Sequence, residues 1–407
     1  MSVQTADTRA ARYPLESIRA LAAVAVVVFH AYQNNAVGGV LPWSGWPHAL
    51  MLSADLAVDL FFVISGFLLW LPVSRALLAG RPQRPGRELV ARRAARLLPL
   101  YVLVMLVAWS IANPTLPGNW QDLLAHLTMT HVYSDTFIFW TVGPAWTLAV
   151  EFHAFVLVAL LVPVISWATP RLGGRRARLA LAAGIPGFLA VAGLTYLAVH
   201  ILVLDTPGDA WSVWFGPLAK AHLFAIGMGL AVASATGTEV GRGGRRALGG
   251  AGLGLAVVGV ASSMVLEGTA SQWLHVWFGI ASAAALAALV LSVAPQPRAL
   301  TWRPLVWAGT ISYSLYLVHE LVLHTLRATG WLPPAGTTTG VVVTAAATLA
   351  VTLVVAAGAH RYIERPFAEA LENMRRGVVL YDDVGSEPVQ ISASNGAGER
   401  RAVLTAP

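Results

Sequence analysis

Arg19 and His30 stand eleven positions apart in the apolar run Glu16-Ser-Ile-Arg-Ala-Leu-Ala-Ala-Val-Ala-Val-Val-Val-Phe-His30. On a helix their side chains fall about 20° apart on one face and about 16 Å apart along the axis. A guanidinium carries a permanent charge and can grip an oxyanion through parallel N–H bonds. An imidazole takes up and releases a proton near neutral pH. Both are costly in lipid, so both are expected to face a protein interior or a wet cavity. Other apolar runs carry similar interruptions: Asp59 and Ser65 in one, Trp146 and Glu151 in another. Tyr313, Tyr316 and His319 recur at i, i+3 and i+6, a polar stripe expected to line the same cavity. Arg93 and Arg96, three apart, share one face of a helix start.

The elements that position these groups follow from composition. The 407 residues are 57% hydrophobic and 12% charged, against about 25% charged in soluble domains. This is an integral, all-α polytopic membrane protein. The formal charge of +7 does not point to nucleic acid, because the arginines cluster in short segments between apolar runs. With no cysteine there are no disulfides, thiol nucleophiles or thiolate metal sites, and the histidines show no metal-ligand spacing. Arg9 and Arg12 before an apolar core resemble a secretory signal, but no small-x-small cleavage site follows. The pattern predicts ten transmembrane helices, over 15–34, 54–78, 97–113, 144–168, 180–203, 217–236, 247–265, 274–294, 305–326 and 338–358. An amphipathic helix is expected near 122–132. Residues 1–14 form a cytoplasmic N-terminal segment, 15–367 the transmembrane domain, and 368–407 a cytoplasmic tail expected to be disordered beyond about 378. Ten spans put both termini in the cytoplasm. All but two of the 27 Lys and Arg, namely Lys220 and Arg327, then fall on the inner side, as the positive-inside rule requires.

Six stretches in order resemble the membrane-bound acyltransferase 3 family, which includes bacterial O-acetyltransferases and macrolide acyltransferases. They are Arg19 with His30, Phe61-Phe-Val-Ile-Ser-Gly-Phe67, Arg93-Ala-Ala-Arg96-Leu-Leu-Pro99, Trp146-Thr-Leu-Ala-Val-Glu151-Phe, Ile311-Ser-Tyr-Ser-Leu-Tyr-Leu-Val-His319 and Tyr362-Ile-Glu-Arg-Pro-Phe367. The resemblance implies a bacterial cytoplasmic membrane and ten or so helices. It also implies an acyl-coenzyme A donor at the cytoplasmic side and transfer to a hydroxyl, often on a sugar. Some members carry an extracytoplasmic hydrolase-like domain; none is expected in the short stretch after residue 367. The chain is therefore expected to complete transfer alone or to hand on to a partner.

On the residues alone, His30 is equally a general base or a histidine hydrogen-bonded within the bundle; the resemblance favours the base. Glu151 is expected either to orient the imidazole or to be a structural carboxylate buried with an arginine or a tyrosine, and Asp59 could orient the ring instead. Arg19, Arg93 and Arg96 are the donor-binding candidates, against positive-inside anchoring. Ser65, Trp146, Tyr313, Tyr316 and His319 are the candidate cavity lining. Ser65-Gly66 reads first as helix packing, and His319 as a second base or a structural hydrogen-bond partner. The function expected is an O-acyltransferase moving a short, acetyl-like group from acyl-CoA, a co-substrate rather than a tight cofactor, to a glycan or glycosylated metabolite. The rival is a proton-coupled transporter or flippase using His30 and Glu151 as a relay.

Overall fold

The computed structural model describes residues 15–383, of which 375–383 are described as helix alone; the segments 1–14 and 384–407 lie outside the described residues. Fifteen α-helices follow one another among them. The first group is α1 (Leu15–Gln33), α2 (Gly45–Ser53), α3 (Ala57–Leu78), α4 (Gly86–Ala112) and α5 (Trp120–Leu127). Next come α6 (Ala145–Ala168), α7 (Arg175–Leu202), α8 (Trp211–Phe215), α9 (Ala221–Ala235) and α10 (Arg242–Ser262). The last are α11 (Trp273–Val290), α12 (Arg303–Thr310), α13 (Ser312–Ala328), α14 (Thr338–Ala359) and α15 (Arg365–Asp383). Within the described residues β-structure is limited to two isolated bridges, Val37 with Val40 and Val240 with Ser292.

Seven helical stretches are long and apolar enough to cross a membrane, among them Leu15–Gln33, Gly45–Leu78, Gly86–Ala112 and Ala145–Arg171. The remaining expected spans are less regular. The apolar α9 has 15 residues, α10 is rich in glycine and arginine, and the expected helix 305–326 breaks at Ile311 into α12 and α13. Prolines 72, 99, 163 and 186 sit inside α3, α4, α6 and α7. Each removes one backbone donor, which membrane helices tolerate when neighbours re-satisfy the freed carbonyl.

Two boundaries differ from expectation in ways that matter for the site. Helix α4 begins at Gly86 rather than 97, so Arg92, Arg93 and Arg96 ride on the helix. Its first turns are rich in Glu, Leu, Ala and Arg, good helix formers, with Glu88 complementing the N-terminal dipole. Hydropathy marks the lipid-crossing part of a helix and misses such an extension. At the other end, α15 carries helix through Asp383, past the expected onset of disorder.

α3 is the central element, packed against α9 and also touching α1, α6, α7 and α11. Its contact with α9 depends on a missing side chain from each helix. A Cβ on Gly66 would stand 2.2 Å from the Phe224 carbonyl oxygen, and one on Gly227 would stand 2.0 Å from that of Val63. The two backbones therefore meet directly, as small residues permit in membranes. Gly66 thus fulfils the packing expectation, while Ser65 turns elsewhere.

Candidate active site

α1, α3, α4, α6 and α13 enclose a cavity lined by Arg19, Ser65, Arg93, Glu151, Tyr313 and Tyr316. Phe61, Phe62 and Thr147 complete its wall. A second cavity opens nearer the arginine-rich end, lined by Arg19, Arg96, His360, Glu364 and Arg365. Arg19 lines both and so stands between them.

Glu151 is buried and doubly engaged: it forms an ion pair with Arg93 and accepts a hydrogen bond from Ser65 Oγ. It therefore takes the structural alternative and does not orient His30. The reason is depth. Gly143 N donates to Glu320 Oε2 at 2.7 Å, which sets the start of α6 level with Glu320 and hence near His319. Glu151 lies two turns further along α6, about 10 Å below that level. Arg93 also stacks over Phe155 at 4.8 Å. Arg19 and Arg96, by contrast, form no ion pair among the described residues, and Arg19 Nε is buried without a hydrogen-bond partner there.

Asp59 does not orient His30 either. One residue beyond Val58, it turns away from the cavity, and both its oxygens lie 3.0 Å from His275 Nδ1 on α11. Lys220, fully buried over the rings of Trp146 and Phe215, lies within Coulombic range of Asp59. Trp146 belongs to this second cluster: it packs against Phe62 and Phe215 instead of lining the cavity. Lys220 and His275 carried no sequence signal, because their partners are remote in the chain.

His30 finds another imidazole. Its Nδ1 lies 2.9 Å from Val26 O and 3.2 Å from His319 Nε2, and His319 Nδ1 lies 2.5 Å from Tyr316 O. His30 is partly exposed, whereas His319 is fully buried. Neither lines the cavity; they stand beyond its end, where the Phe61 and Tyr316 rings meet edge to face at 5.8 Å. The Tyr316 ring lies 5.7 Å from that of His319 and accepts at its hydroxyl from Thr147 Oγ1 at 3.1 Å. Tyr313 lines the cavity and donates its hydroxyl to Leu97 O at 2.6 Å.

Glu364, in the stretch Tyr362–Phe367, is buried. It accepts from Ser314 Oγ, and its Oε2 lies 3.1 Å from His360 Nδ1. Arg365 pairs with Glu369 at 2.6 Å. A π-helical turn spans His360–Glu364. Its wider winding rotates Glu364 inward, and such turns recur at functional sites. No residue pattern announced it.

The architecture and this site define a polytopic membrane protein with a buried arginine–glutamate layer beneath a histidine pair. The acyltransferase 3 family's sequence profile, described as an acyltransferase domain, matches residues 12–357, and the chain belongs to that family. It is 30% identical over 192 residues to the exopolysaccharide production protein ExoZ of Rhizobium meliloti, covering 42% of this chain and 56% of that protein. It is 25% identical over 343 residues to the O-acetyltransferase OatA of Staphylococcus aureus, covering 76% and 50%. The peptidoglycan O-acetyltransferase OatA of Listeria monocytogenes is 26% identical over 385 residues, covering 86% and 55%. The chain spans about half the length of these relatives. No solved structure matches it.

Proposed function

We propose that this protein is a membrane O-acyltransferase moving a short acyl group from acyl-CoA to a hydroxyl of a glycan or glycosylated metabolite. The donor's phosphates rest at the arginine-rich, cytoplasmic end on Arg96 and Arg19. Arg93, neutralised by Glu151, keeps the wall between the cavities rigid. The pantetheine arm runs past Arg19 along the cavity, a span of about 16 Å to His30, and the thioester reaches the imidazole when the Phe61 ring moves aside. His30 Nε2 takes the proton of the acceptor hydroxyl as its oxygen bonds to the thioester carbonyl carbon. The tetrahedral adduct then collapses: the carbon–sulfur bond breaks, and His30 returns the proton to the leaving thiolate. The products are the acyl ester and coenzyme A.

The observation that supports this reading most is the pair Arg19 and Arg96, which form no ion pair among the described residues and lead from an open cavity toward the ring-capped histidines. The test is coenzyme A release from acetyl-CoA by purified protein, with and without glycan acceptors. Acceptor-stimulated release that His30→Ala abolishes is expected. A folded protein that neither binds nor consumes any acyl-CoA overturns the proposal in favour of a proton-coupled carrier.

A further inference from the structure

We propose that His319 is the positioning residue of His30: a buried neutral imidazole occupies the place that a carboxylate fills in other base–orienter pairs. This rests on the reading of His30 as the base. Counting donors and acceptors sets the protons. A carbonyl oxygen only accepts, so the 2.5 Å contact with Tyr316 O puts the proton of His319 on Nδ1 and leaves its Nε2 as a lone pair. The 2.9 Å contact with Val26 O puts the proton of His30 on Nδ1 by the same rule. His319 Nε2, 3.2 Å away, is then a second acceptor for that one N–H.

Three consequences follow. His30 Nε2 is left unprotonated and without a protein partner among the described residues, so it is the atom free to meet a hydroxyl. His319 has no free lone pair on either ring nitrogen and cannot serve as a second base. When His30 takes a proton at Nε2, the imidazolium Nδ1–H is already held between a carbonyl and a lone pair, and His319 neither gains nor loses a proton. An i−4 carbonyl is available to any helical histidine; the lone pair from α13 is what restrains ring rotation as well. No water competes for it, because His319 is fully buried.

The experiment compares His319→Phe, which removes the lone pair, with His319→Gln, whose amide oxygen can reach the same place. Acetyl-CoA turnover is measured with acceptor, beside His30→Ala and thermal unfolding of each variant. His319→Phe is expected to lower kcat about 30-fold with both KM values nearly unchanged, while His319→Gln keeps kcat within about three-fold. Wild-type kcat in His319→Phe overturns the proposal, as does a loss in His319→Gln as deep as in His319→Phe. If His319→Phe does not fold, His319→Asn, whose oxygen stops short of His30, takes its place with the same two outcomes. Activity surviving in His30→Ala overturns the base itself, a separate failure.

Discussion

Two polar layers cross this bundle, and they hold their groups in different ways. The inner layer is ionic: Arg93 is neutralised by Glu151, Glu151 is further held by Ser65, and Glu364 is held by Ser314 and His360. In the outer layer the two imidazoles bond to each other and to backbone carbonyls, while the carboxylate at that level, Glu320, takes its hydrogen bond from Gly143 N. Burying an ion costs least beside a partner, whereas a neutral ring needs only its hydrogen bonds. The difference matches the work proposed for each. A layer that must attract phosphate retains cations, and Arg19 and Arg96 form no ion pair among the described residues. A base that must take and return a proton is better without a fixed charge bonded to it, which would bias it one way permanently.

The contrast can be tested from its largest consequence down. His30→Ala should lower acceptor-stimulated coenzyme A release by about 10³-fold while leaving the thermal midpoint unchanged. Glu151→Gln should do the reverse in kind: it strands the Arg93 guanidinium and should cost about 3–5 kcal/mol of stability, read as a fall in the thermal midpoint in detergent. If Glu151→Gln left stability intact and only slowed turnover, the inner layer would be catalytic and the division of roles would collapse. Arg96→Ala should raise the donor KM about ten-fold with kcat nearly unchanged, as expected for a charge-assisted phosphate contact. An unchanged donor KM would return Arg96 to simple topological anchoring. The smallest effect on turnover belongs to Asp59→Asn. The Asp59–His275 pair is buried outside the cavity, so kcat should stay within about two-fold even as stability falls by about 1–3 kcal/mol.

Much of the fold was legible in the chain. Apolar runs located the helices, seven stretches of which are long and apolar enough to cross a membrane, and the basic segments marked one end of the bundle. The same reading missed the inner extension of α4, since its arginines look like a loop to hydropathy while favouring helix in propensity. The site was legible as an inventory. Arg19, Ser65, Arg93, Glu151, Tyr313 and Tyr316 all line one cavity. Their pairings were not: Glu151 belongs to Arg93, Asp59 to His275, and His30 to His319. Trp146 faces the second cluster.

The sequence by itself determined that Arg19, His30, Asp59, Glu151 and the stripe Tyr313, Tyr316 and His319 interrupt apolar helices and which of them share a helix face, because hydrophobicity and the 3.6-residue period are local properties. Only the tertiary structure decided who partners whom. That depends on how deep each helix sits relative to its neighbours, and here the depths follow from remote contacts. The Gly66–Phe224 and Gly227–Val63 approaches bring α3 and α9 together. The Gly143–Glu320 bond sets the start of α6 level with Glu320, and the π turn at His360–Glu364 rotates a carboxylate inward. Glu151, two helical turns or about 10 Å past the start of α6, is thereby held at Arg93 rather than at His30, and no local pattern in the chain encodes that depth.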